Sequence, residues 1–205
     1  MSKIAIDVVL LPPKEIIDVC FDINKRAFGS GKGRFRMSEN DFIPHISLAI
    51  GCVEEKILEK VIEEVKLVVL KQNSLKLIIE KIGMFIREDG DRGFLKVKVS
   101  EELRELHEKV LREVSDCFVG CDSANVLIEG EVTGMGKSTR NIINNYSEFY
   151  SGKKYNAHIS LGCFDSDVFV EGVNFPISFV AEEMAIFRVG DGCTCRELVW
   201  KGKLL

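Results

Sequence analysis

No apolar stretch of this sequence reaches the length of a membrane span, so no helical anchor and no membrane partner are expected. The opening residues, Met1 to Asp7, lack a signal-peptide pattern. Asp7 interrupts the apolar run and strand-like residues follow it. Basic residues are in slight deficit. A net charge of −4 excludes a large electropositive nucleic-acid surface but leaves room for a local anion site. The 7 cysteines are an odd number without a secretory context, so mostly reduced thiols and a cytoplasmic protein are expected. Cys193 and Cys195, even joined by Cys117 and Cys121, lack C-x2-C spacing. They read as buried thiols, and neither a metal site nor a cofactor is expected.

A complete phosphate loop is also missing. Gly136-Lys137-Ser138 looks like the end of one, but the first glycine of G-x4-G-K-[ST] would fall at Glu131. Asparagines 141, 144 and 145 follow, and no apolar helix is expected there. With NTP hydrolysis rejected, Lys137 and Arg140 remain candidate contacts to an anionic substrate.

Histidine is scarce, with 3 in the chain, and the sequence spends two of them on a repeat. His45-Ile46-Ser47-Leu48 and His158-Ile159-Ser160-Leu161 are the same tetrapeptide. Each copy lies in an apolar run with a glycine downstream and reads as a strand. Alternation puts His45 with Ser47, and His158 with Ser160, on one face of each strand. Ile46, Leu48, Ile159 and Leu161 then fill the other face. Two imidazoles and two hydroxyls around one volume suit a phosphodiester. One neutral imidazole takes a proton, one imidazolium gives one, and the hydroxyls hold phosphoryl oxygens. The third histidine, His107, lies at the edge of a helical stripe with no serine two residues on, and reads as structural or surface.

On this duplicated His-x-Ser, with Pro44 before the first copy, the chain resembles the 2H phosphoesterase superfamily, the 2',5' RNA ligase and cyclic phosphodiesterase group. The second copy departs from the pattern in having Ala157 where proline is common. The resemblance implies a metal-independent enzyme that opens the 2',3'-cyclic phosphate of RNA ends or nucleotides to a 2'-phosphate; some members also ligate RNA through 2',5' linkages. Alternatives are hydrolysis of 2',5'-linked oligonucleotides and a non-catalytic module that binds RNA ends. His158 is assigned as base and His45 as acid.

Further binding residues are expected around this pair. Lys25, Arg26, Lys32, Arg34 and Arg36 form a run without an acid, and Arg34 and Arg36 lead into the first motif. All 3 tyrosines lie between residues 146 and 155, and Tyr155 is the candidate to stack on a nucleobase.

The element order reads β-α-β-α-β-β, then α-β-β-β-β. Strands are expected over 3–11, 75–86, 94–99, 124–133, 177–188 and 195–201 besides the two motif strands. Helices are expected after Pro13, over 54–70, and after Ser100 as N-cap. This order suggests an α+β protein of two lobes, each an antiparallel sheet backed by helices. The resemblance adds a central cleft and terminal strands that complete one lobe, so residues 1–205 form a single bilobal domain. A monomer is expected.

Overall fold

The computed structural model describes residues 2–31, 33, 35–86, 92–121, 123–128, 134–163 and 172–205. They form two four-stranded antiparallel sheets with helices packed against them. In chain order the elements are β1 (Lys3–Leu11), α1 (Lys14–Gly29), β2 (Ile46–Glu54), α2 (Leu58–Val69), β3 (Leu75–Phe85), β4 (Arg92–Val97), α3 (Glu101–Val114), α4 (Lys137–Tyr150), β5 (His158–Cys163), β6 (Ile177–Ala181), β7 (Glu183–Gly190) and β8 (Thr194–Lys203).

The first sheet runs β2-β1-β7-β8 and the second β5-β4-β3-β6. Chain order and sheet order therefore cross. The last two strands join the first two, while β3 to β6 build the other sheet. Each sheet holds one motif strand at its end, β2 in the first and β5 in the second. The expected α+β architecture of two antiparallel sheets is present.

β1 is buried from Ile4 through Leu10, not on alternate residues. It lies between two strands and is covered on both faces, which explains its nearly continuous apolar sequence. Asp7 is the polar exception in this run. α3 and α4 both pack on β2, and α2 packs on α3 and β8. On the other side, α1 touches β5. Ser100 caps α3 as expected: its side chain accepts the Leu103 N–H at 3.2 Å. Each fully enclosed Ile or Leu, such as Ile46, Leu48, Ile159 and Leu161, contributes about 1.5–3 kcal/mol of burial.

Three sequence expectations change. Residues 124–133 are not shown as a strand: Ala124–Val126 is a 3-10 turn, Ile128 N–H bonds Val189 O at 3.0 Å, and residues 129–133 lie outside the described residues. A helix does follow Gly136, because Thr139, Ile143 and Tyr146 recur at helical spacing and bury despite the asparagines between them. The run 177–188 is two strands in different sheets, β6 and β7, separated at Glu182.

The thiol expectation changes too. Cys52 of β2 and Cys121 form a disulfide across a sequence separation of 69 residues. Cys20, Cys117, Cys193 and Cys195 are free and buried.

Candidate active site

The two motif histidines line one cavity of about 140 Å³ between the sheets. Their serines line it as well. Alternation explains the placement. Ile46, Leu48, Ile159 and Leu161 turn into the core, which leaves the His and Ser of each copy on the cavity face.

The two imidazoles are held alike. His45 Nδ1 lies 2.6 Å from Ile43 O, and His158 Nδ1 lies 2.7 Å from Asn156 O. A carbonyl accepts only, so each Nδ1 carries the hydrogen. Each Nε2 is then left for proton exchange. The repeat thus extends past the tetrapeptide, because each ring is oriented by the backbone two residues before it.

Their surroundings differ. Beneath His45 sits the fully buried Asp7, whose Oδ2 is 3.5 Å from His45 Nε2 and accepts the Ser47 hydroxyl at 2.7 Å. Burial pushes the Asp7 carboxyl well above its ordinary value, against the Ser47 hydrogen bond that lowers it. Burial likewise brings His45 down to about 4, with the hydrogen bond to Ile43 opposing and the charge of His158 adding to the fall. His45 is therefore held neutral near pH 7 by loss of water, and the same loss of water opposes ionisation of Asp7.

His158 stands among phenylalanines. Phe85 and Phe94 meet its ring edge-on at centroid distances of 5.1 and 5.4 Å and stack on each other at 4.2 Å. Strand register produces this cluster. Phe94 lies opposite Ser160, and Gly83 lies opposite Phe94. A Cβ on Gly83 would stand 2.4 Å from the Phe94 ring, so the glycine is the notch that lets the ring lie across β3.

The sequence candidates divide. His45, Ser47, His158 and Ser160 come together at the cavity, and Ser160 is exposed to it. Arg36, Lys137 and Arg140 are exposed and do not line the cavity; Arg34 lies outside the described residues. The first turn of α4 faces the protein's own carboxylate. Asp191 Oδ1 accepts the Gly136 N–H at 2.9 Å and the Thr139 hydroxyl at 2.5 Å. That carboxylate holds the helix-end position an anion would take in a phosphate loop.

Tyr155 reaches the cavity wall but does not serve as a stacking platform. Its ring is buried and lies parallel to His107 at 3.8 Å, and its hydroxyl donates to Ser47 O at 3.0 Å. It supports the first motif strand from behind. His107 is structural, with Leu48 O and Tyr150 O at 2.7 and 2.9 Å from its ring nitrogens.

Several wall residues carry no signal in sequence reasoning. Arg92 and Arg196 are the arginines of the cavity lining. Arg196 pairs with Asp41 and lies over the Phe42 ring at 4.1 Å, and Phe42 stacks on Phe35 at 4.4 Å. Asp7 had a visible signal, a lone carboxylate inside an apolar strand. The arginines had none, because their role depends on which strands become neighbours.

No family model matches the chain, and no curated protein matches it. Solved structures do. TT0787 of Thermus thermophilus matches over 98% of each chain, with a TM-score of 0.65 at 13% identity. E. coli LigT complexed with 3'-AMP matches over 99% of each chain, with a TM-score of 0.60 at 15% identity. A structure described as a phosphoesterase matches over 99% of each chain, with a TM-score of 0.59 at 14% identity. These likenesses show the fold: the chain shares the fold of TT0787 and of E. coli LigT over its whole length.

Proposed function

We propose that the protein is a phosphodiesterase that opens 2',3'-cyclic phosphates of RNA ends or nucleotides to 2'-phosphates, by paired acid–base chemistry at His45 and His158. The observation that carries this reading is the duplicated His-x-Ser, each imidazole fixed through Nδ1 by a backbone carbonyl and both lining one cavity. Two imidazoles with matched orientation suit in-line displacement at phosphorus, where one group activates water and the other protonates the departing ribose oxygen. The fold neighbour E. coli LigT has been crystallised with 3'-AMP and with phosphate, which supports a nucleotide phosphate as the ligand class.

The roles exchange relative to the sequence expectation. His45, enclosed and neutral, takes the proton from water. His158 delivers one to the ribose 2'- or 3'-oxygen; release of the 3'-oxygen leaves the 2'-phosphate. Ser160, open to the cavity, donates to a non-bridging oxygen, and Arg92 and Arg196 supply positive charge at the wall. Phe35, backed by Phe42, takes the place of Tyr155 as the aromatic surface for a base.

The test is hydrolysis of 2',3'-cyclic nucleotides and of RNA bearing a cyclic end by the full chain, with products separated as 2'- or 3'-phosphates. His45→Ala and His158→Ala should each lower kcat by about 10²–10⁴-fold. Turnover that survives both substitutions, or cyclic-phosphate binding without any product, would sink the reading.

A further inference from the structure

Asp7, His45 and Cys195 form a cluster that the acid–base scheme leaves partly unused. Each offers one ligand atom, and the three atoms lie within 4.8 Å of one another. They come from separate parts of one sheet: Asp7 from β1, His45 from the residue before β2, and Cys195 from β8. Asp7 and Cys195 are completely buried. Asp7 Oδ1 has no hydrogen-bond partner among the described residues, an open acceptor deep in the protein. His45 is already oriented as a ligand would be, with Nδ1 held by Ile43 O and Nε2 directed to the cluster.

We infer that this cluster is a binding site for a borderline divalent cation of the zinc type, and that the bound cation switches the phosphodiesterase off. The donor set selects the metal. A thiolate, an imidazole and a carboxylate suit Zn²⁺, whereas Mg²⁺ and Ca²⁺ take oxygen ligands. Ligand atoms around a tetrahedral zinc lie about 3.5 Å apart, given bonds of about 2.0–2.3 Å. Closing the cluster therefore takes side-chain shifts of about an ångström, while the sheet holds the three Cα positions. His45 and Cys195 line the cavity, so the cation enters from it and keeps its fourth position for water or a phosphate oxygen. Coordination occupies the His45 Nε2 lone pair, the group that has to accept a proton from the nucleophile. Inhibition rests on the proposed reaction, but binding does not.

The experiment separates the two. Metal-stripped full-length protein is titrated with ZnCl₂ by calorimetry, and with CoCl₂ while the near-ultraviolet spectrum is recorded. One equivalent of Zn²⁺ should bind, with a thiolate-to-cobalt charge-transfer band in the Co²⁺ form. Cys195→Ser and Asp7→Asn should each weaken Zn²⁺ at least about tenfold and Cys195→Ser should remove the band, while Cys117→Ser, outside the cluster, should leave both unchanged. Should Asp7→Asn fail to fold, His45→Gln takes its place. Absence of stoichiometric binding, or equal affinity in Cys195→Ser, overturns the site. Binding at the site with cyclic-phosphate hydrolysis by the wild-type protein undiminished, and unaltered by a chelator, overturns the inhibition alone.

Discussion

Ser47 and Ser160 occupy equivalent places in the two motifs, yet they do different work. The Ser47 hydroxyl is given to Asp7, a fully buried carboxyl. Ser160 faces the cavity. Removing the Ser47 hydroxyl strips a buried group of its partner, a loss of about 1–3 kcal/mol. Ser47→Ala should therefore lower the midpoint of urea unfolding clearly, while Ser160→Ala should leave it within about 0.5 kcal/mol. Cyclic-phosphate hydrolysis should show the reverse ranking, with kcat falling further in Ser160→Ala. Equal stability losses in the two variants would remove the distinction.

At the scale of the element, strand register decides what surrounds His158. Gly83 on β3 is opposite Phe94 on β4, and Phe94 is opposite Ser160 on β5. The Phe94 ring fills the space a side chain at 83 would need. Gly83→Ala should displace that ring, loosen the Phe85–Phe94 stack and disturb His158, with kcat on a cyclic nucleotide reduced about tenfold or more. An unchanged rate, with a crystal structure showing Phe94 in place, would contradict this chain of contacts. α4 teaches a related lesson about elements. Its asparagines argue weakly against a helix, but Thr139, Ile143 and Tyr146 bury along one face and Asp191 satisfies its first amide. Packing and capping override a weak propensity.

Across the whole molecule, the cavity depends on how the two sheets are joined, and Asn24 is one of the joints. This buried side chain on α1 donates to Leu161 O of β5 at 3.0 Å and to Phe35 O at 3.1 Å, and its Oδ1 accepts the Met37 N–H at 2.9 Å. One amide thus ties a helix, the segment before the first motif and the second motif strand. Leu161 is three residues from His158. Asn24→Ala leaves buried backbone groups without partners and should cost about 2–4 kcal/mol in denaturant unfolding, summed over bonds of about 1 kcal/mol each with added desolvation. Turnover should fall as well, even though Asn24 lies outside the cavity lining. A stable variant with full activity would show that the sheets hold their separation by other contacts. The Cys52–Cys121 bridge is a second fastening at this scale. It ties β2 to the segment after α3, and in the chain-entropy picture a loop of 69 residues gives about 4 kcal/mol.

The amino-acid sequence by itself determined the motif pair and its faces, because a period of two requires His and Ser to share a side whatever sheet they join. It also determined α1, α2 and α3 and the capping serine, which are local matters of spacing and hydrogen bonding. Tertiary structure alone decided the rest. The sheet assignment of β7 and β8, the stacking of Tyr155 against His107 of α3, and the arrival of Arg92, Arg196 and Cys195 at the cavity of the histidines all come from neighbours far apart in the chain. Periodicity reports which way a side chain points, not what it points at. Partners are fixed only when burial of all the apolar faces at once selects one arrangement of the sheets.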